Sequence, residues 1–186
     1  MSQGQIRIIG GEWRGRKLKV PDVANLRPTP DRVRETLFNW LAPVIVGAHC
    51  LDAFAGSGAL GFEALSRGAG RVVMVDDSLV VVKLLQEEVL MLKTANAEIY
   101  RGRMPSQLKN PAKPFDIVFL DPPFQQDLLL PTCHYLEENG FLAERAHIYL
   151  EAKENLAEDA LPANWELIKS KKAGQVAYHL VLRVAK

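Results

Sequence analysis

The stretch FDIVFLDPPF, residues 115–124, ends an apolar run on an aspartate, two prolines and an aromatic ring. Pro122 and Pro123 have restricted φ and no N–H, so the segment is stiff and presents acceptors: the Asp121 carboxylate and the carbonyls of Asp121 and Pro122. Phe124 adds a flat apolar face. That set matches an exocyclic amine on a purine or cytosine, which is a double donor on a flat ring. The lone pair of such an amine is delocalised into the ring. Acceptors on its N–H bonds would turn the lone pair toward an electrophile and stabilise the charge that develops there.

A second motif lies upstream. LDAFAGSGALGFEAL contains Gly56-Ser57-Gly58-Ala59-Leu60-Gly61, a G-x-G-x-x-G between an expected strand and an expected helix. Glycines there let the backbone turn tightly and approach a ligand at a helix N-terminus. The pattern serves dinucleotides and other nucleosides alike. Asp76 follows at the end of the next apolar run, where a carboxylate can accept from both hydroxyls of a ribose. Asp52, just before the loop, would repel a pyrophosphate and attract a sulfonium ligand with a methionine ammonium. Its competing role is to cap its own loop.

The rest of the chain must position these groups. QIRII and RKLKV, separated by GGEWRGR, predict an N-terminal hairpin. NLRPTPDRVRETLFNWLA predicts a helix with Thr29 as N-cap and Pro30 in the first turn. From residue 48, apolar runs and helical patterns alternate: HCLDAF, GALGFEALSRG, RVVMVD, SLVVVKLLQEEVLMLKT capped by Ser78, AEIYRG, FDIVFLD, QDLLLPTCHYLEENG and AHIYLEA. WELIKSKKAGQVAYHLVLRV then predicts a closing hairpin. This is the pattern of an α/β fold with a mostly parallel sheet and an antiparallel edge. The strand at 115–121 should lie beside the glycine-loop strand, so that both open into one crevice.

Composition narrows the class. The 186 residues are 48% hydrophobic, ordinary for a single globular unit. No apolar run is long enough for a membrane span, and MSQGQIRIIGG has no signal-peptide pattern, so the expectation is cytoplasmic. Cys50 and Cys133 read as buried free thiols. The histidines 49, 134, 147 and 179 have no partners that suggest catalysis or metal binding. Residues 1–40 hold eight Lys/Arg against four acids, while the remainder is slightly acidic. A basic end suggests contact with a polyanion. Trp13 could stack on a base or pack beneath the hairpin.

DAFAGSGALGFEALSRGA together with FDIVFLDPPF resembles the class I S-adenosylmethionine-dependent methyltransferases that modify amino groups. IRIIGGEWRGRKL, LRPTPDRVRETLFNWL and AGQVAY narrow the resemblance to the RsmD-type methyltransferases of bacterial small-subunit ribosomal RNA. The resemblance covers nearly the whole chain. It implies a Rossmann-like, seven-stranded, mostly parallel sheet with an antiparallel C-terminal hairpin. A basic extension at 1–42 (hairpin plus helix) would contact RNA, and 43–186 would form the methyltransferase domain.

It further implies transfer of a methyl group from S-adenosylmethionine to N2 of one guanine in 16S ribosomal RNA, on the assembled or assembling small subunit, by a monomer without metal. By position, Asp52, Phe54, Gly56, Ser57, Gly58, Asp76, Asp77, Arg103 and Met104 would surround the cofactor. Asp121, Pro122 and Phe124 would be catalytic, and Arg27, Thr29, Arg32, Arg34 and Pro123 would bind the substrate.

The chain departs from the family's pattern at two places. Asp76-Asp77-Ser78 replaces an acidic residue, one intervening residue and aspartate. Arg103 stands where Asp or Asn usually meets the adenine amine, which leaves adenine to backbone atoms or stacking. The other readings are an amine methyltransferase for DNA adenine or protein glutamine, an NAD-dependent oxidoreductase, and an inert RNA-binding assembly factor.

Overall fold

The structure is a computed structural model and describes residues 4–21, 23, 28–123, 126–153 and 156–185. Arg27 and Phe124 therefore lie outside the described residues. The chain opens with strands β1 (Gln5–Arg7) and β2 (Lys17–Lys19), paired antiparallel, followed by helix α1 (Asp31–Leu41). Then come β3 (His49–Asp52), α2 (Ala59–Ser66), β4 (Arg71–Asp76), α3 (Leu79–Leu92), β5 (Ala97–Arg101) and β6 (Phe115–Leu120). Helix α4 (Leu129–Glu138), β7 (Leu142–Ala152), a 3-10 turn (Glu158–Ala160), β8 (Trp165–Ala173) and β9 (Val176–Val184) complete it.

Seven strands form one sheet in the order β5-β4-β3-β6-β7-β9-β8. The first five are parallel, and β9 and β8 close it antiparallel. Strand order reverses between β3 and β6, the place where parallel sheets open a crevice beyond their strand ends. Strand β7 starts earlier than AHIYLEA suggested, at Leu142.

Alternation along each strand divides the core between the two faces. Cys50, Ile117 and Phe119 point to the face covered by Leu37 and Phe38 of α1, Phe62 of α2 and Val81 and Leu85 of α3. Leu51, Val118 and Leu120 point to the other face, where Cys133 and Leu136 of α4 pack. Both cysteines are free and buried.

The N-terminal segment belongs to the first of these clusters. Ile6, Ile8, Trp13 and Leu18 are buried with Phe62 and Phe38. Trp13 thus packs under the hairpin. Polar contacts fix the segment to α2: the Glu63 carboxylate accepts from the N–H groups of Ile9 and Gly10 at 2.8 and 2.9 Å. Ser66 Oγ accepts from Trp13 N at 2.9 Å and donates to the Gly10 carbonyl at 2.6 Å. Gly11 lies so close that a Cβ there would meet the Ser66 carbonyl.

Two sequence expectations are corrected at α1. Thr29 is not its cap; Pro30 occupies that position without a side-chain hydrogen bond. Arg34 does not face RNA. It is fully buried, donating to the Arg7 carbonyl at 2.9 Å and to Asp31 at 2.6 Å, with its other nitrogen 3.5 Å from Glu63. A guanidinium on the inner face of an amphipathic helix serves as a strut between the hairpin and α2.

Glu63 also accepts from Arg67 Nε at 2.7 Å, so one buried carboxylate joins four groups. Removing one partner of such a cluster strands the others. Glu63→Ala is expected to lower unfolding free energy by about 3 kcal/mol, seen as a lower urea midpoint with an unchanged slope.

Candidate active site

The carboxyl ends of the parallel strands line a crevice of about 1130 Å³. Each wall follows from local sequence. After β3, the chain turns through Gly56 (φ 50°) and Gly58 (φ 74°) into α2. A Cβ on Gly58 would come within 2.6 Å of Leu85 and Phe62 side chains, so the turn and the helix packing both require glycine there. At Gly61 a Cβ would fall 2.5 Å from Met74 Sδ, which explains the third glycine as close helix–strand packing.

Asp52 performs its capping role while lining the crevice. Its Oδ2 accepts from Gly61 N at 3.0 Å, and burial pushes its carboxyl up to about 7 against that bond. Asp76 is fastened by backbone: Oδ2 accepts from Gly56 N and Oδ1 from Ser78 N, both at 2.9 Å. Burial raises its pKa, and these two bonds oppose the rise. Each oxygen retains a lone pair for a further donor. Phe54, Ser57, Asp77, Gly102, Arg103 and Met104 line the same end. The side chain of Arg103 is exposed, and its backbone N–H donates to Gln107.

The other end is built by β6, β7 and the N-terminal segment. Strand β6 pairs directly with β3, Asp52 opposite Phe119, so Asp121 emerges beside the glycine loop. Asp121, Pro122 and Pro123 line the crevice with Pro28, Thr29 and Pro30. The Thr29 hydroxyl donates to Asp121 Oδ2 at 3.4 Å across 92 residues of sequence. Burial, then the charges of Glu151 and Asp52, raise the Asp121 pKa well above the ordinary carboxylate range; Thr29 opposes them.

Sequence reasoning missed Glu151. It is buried at the end of β7, lines the crevice, and its Oε1 accepts from Tyr149 Oη at 2.8 Å. Burial raises its pKa too. A signal was present: HCLD, VMVD, VFLD and IYLE are four apolar runs, each ending on an acid. Gln175 and Val176, at the β8–β9 turn, also reach the crevice. Among the sequence-derived residues, the crevice lining includes neither Arg32, exposed on α1, nor Arg34.

Among the described residues, no group of three or more His, Cys, Asp or Glu could hold a metal ion. No described helix is long and apolar enough to cross a membrane.

Comparison with known proteins places this architecture. The family described as Conserved hypothetical protein 95 matches residues 6–182. Ribosomal RNA small subunit methyltransferase D of Escherichia coli K12 is 54% identical over 182 residues, 98% of this chain and 92% of that protein. Its Haemophilus influenzae namesake is 45% identical, over 96% of this chain and 94% of its own length. The solved structure of the E. coli methyltransferase yhhF superimposes with a TM-score of 0.91 at 54% identity, covering 98% of this chain and all of that one. With its Rossmann-like class I methyltransferase fold and its match from the first strand to the last, the chain belongs to the Conserved hypothetical protein 95 family, alongside the small-subunit methyltransferase D proteins.

Proposed function

We propose that this protein transfers a methyl group from S-adenosylmethionine to the exocyclic N2 of a guanine in small-subunit ribosomal RNA, within the assembled or assembling particle. One observation carries the reading: the glycine loop with Asp76 and the Asp121-Pro122-Pro123 segment share a single crevice across the β3–β6 switch point. The names of the similar proteins supply the ribosomal substrate. The amine-shaped acceptor set supports an exocyclic amine as the target, and guanine N2 among such amines comes from the family resemblance.

The residues present suit the cofactor. Asp76, pinned on both oxygens, keeps acceptors for two ribose hydroxyls, and the left-handed glycines bring bare backbone to the methionine end. The Asp52 carboxylate places negative charge where an ammonium and a sulfonium carry positive charge. Phe54, Ser57, Asp77 and Met104 shape the pocket around them, with Arg103 at its rim. Bound S-adenosylmethionine supplies an electrophilic methyl group.

The chain's own residues do the rest. Asp121 and the Asp121 and Pro122 carbonyls accept the amine's N–H bonds, which localises its lone pair. The charge that grows on the amine is stabilised in a site that already holds negative charge, and Asp121 takes the surplus proton. Phe124 is assigned the stacking face. Arg27 and Arg32 are assigned phosphate contacts, and Lys17 and Lys19 of β2 are also exposed. Thr29 is assigned to hold Asp121 and to meet the target base. Residues 1–42 are thus the RNA-contacting part and 43–186 the part that binds cofactor. Nothing in the site asks for a second copy of the chain.

The test is methyl transfer from labelled cofactor to unmodified small subunits, with naked 16S RNA and DNA alongside. Label is expected on guanine N2 in the particle. Asp121→Ala is expected to reduce the rate by about 10³-fold while cofactor binding persists. Label on DNA adenine or a protein glutamine would replace the substrate, and cofactor binding without any transfer would favour an inert assembly factor.

The rate should also fall on acidification. Protonation of Asp121 removes an acceptor, and its pKa is raised, so kcat/KM should drop at a pH above the ordinary carboxylate value of about 4. The groups facing Asp121 are Asp52 on β3, Glu151 and Tyr149 on β7 and Thr29; Asp52 titrates in the same direction. An acid limb that stays at ordinary carboxylate pH would contradict the assignment. Particle binding is expected to weaken steadily as salt rises, measured by filter binding between low and physiological ionic strength.

A further inference from the structure

Asp121 explains why an amine is held but not which base carries it. An acceptor on an amine N–H suits adenine N6, cytosine N4 and guanine N2 equally. These bases differ in the neighbouring ring nitrogen: it is an acceptor in adenine (N1) and cytosine (N3), and a donor, N1–H, in guanine. A site that reads guanine needs a second acceptor next to the first.

The sheet provides one. Strands β6 and β7 are parallel neighbours with Leu120 opposite Leu150, so Asp121 and Glu151 are the next residues on adjacent strands, about 4.8 Å apart by strand spacing. Both line the crevice. The glycine loop lies on the β3 side, so Asp121 is nearer the methyl donor and Glu151 one strand beyond it. Tyr149 Oη fastens Glu151 through Oε1 at 2.8 Å, and the Glu151 side chain lines the crevice. The Thr29 hydroxyl donates to Asp121 and lines the same crevice. Among the described residues no Lys or Arg side chain forms an ion pair with either acid. Two acids buried side by side without a cation weaken the fold. A ligand that brings two adjacent N–H donors resolves that arrangement.

We propose that Glu151 is a specificity-determining residue that selects guanine by accepting its N1–H, while Asp121 accepts from the N2 amine beside it. The proposal rests on the guanine-N2 reading above. Adenine or cytosine in the same pose would point a ring-nitrogen lone pair at the Glu151 carboxylate, a repulsion in a water-poor site. Buried groups left unpaired in this way reject the wrong ligand strongly.

The test uses small subunits reconstituted with guanine or 2,6-diaminopurine at the mapped target position. Diaminopurine keeps the N2 amine but presents N1 as an acceptor. The wild-type protein is expected to prefer guanine in kcat/KM by about 100-fold or more. Glu151→Gln, whose amide can turn its NH2 toward N1, is expected to cut that preference by about tenfold while cofactor binding, followed by calorimetry, is unchanged. A merely structural role would lower both rates together and leave their ratio intact. Wild-type protein that methylates both bases within threefold of each other overturns the proposal without recourse to any variant. An unchanged ratio in a Glu151→Gln protein that binds cofactor normally also overturns it, while guanine N2 stands as the methylated atom. Methyl found on an atom other than guanine N2 overturns the guanine reading itself, and this proposal with it.

Discussion

The Glu63 carboxylate is the interaction on which the rest depends. It sits on the second turn of the helix that starts at the glycine loop, and it receives two hairpin N–H groups, Arg67 and the approach of Arg34. Its burial would be prohibitive without those partners. With them, the hairpin and α1 are held against the same helix that forms the cofactor wall. That placement brings Thr29, at the start of α1, over a carboxylate 92 residues away. The substrate side and the cofactor side of the crevice are therefore set by one helix.

The crevice itself is electrostatically expensive. Asp52, Asp121 and Glu151 all have raised pKa values, with burial the leading cause in each. A raised carboxyl pKa means the folded state holds its protons more tightly than the unfolded chain. These groups therefore favour the fold as pH falls toward their unfolded values and weigh against it above their folded ones, the reverse of a salt-bridged acid. A cationic cofactor and a base with two donors bring what the empty protein lacks. Building the site costs the unliganded fold stability, which bound ligands return, as is common where a site is built before its ligand arrives.

Much of the architecture was legible because its causes are local. Strand and helix periods, Ser78 at the start of α3 and the glycine pattern are each written in a few consecutive residues. The adjacency of β3 and β6 followed from how parallel sheets cross over. What misled was long-range. Thr29 has the composition of a cap, yet its hydroxyl is engaged by Asp121, and no window around residue 29 contains that partner. Arg34 carries a charge that usually means solvent, but its neighbours Arg7 and Glu63 lie 27 and 29 positions away. Glu151 was hidden differently. Its signal, an acid ending an apolar strand, equals that of Asp52, Asp76 and Asp121, but it lacks the prolines and glycines that draw attention to the others.

The seam between the hairpin and α2 bears on how such proteins diversify. A terminal extension that carried its own core could be exchanged among catalytic domains like a tool head. Here Gly11 lies against the Ser66 carbonyl, and Glu63 and Ser66 supply the partners for the hairpin backbone. A recipient scaffold without that carboxylate, that hydroxyl and that close approach would receive the sequence of the extension but not its shape. An exchange across this joint must therefore carry Glu63 and Ser66 together with the extension.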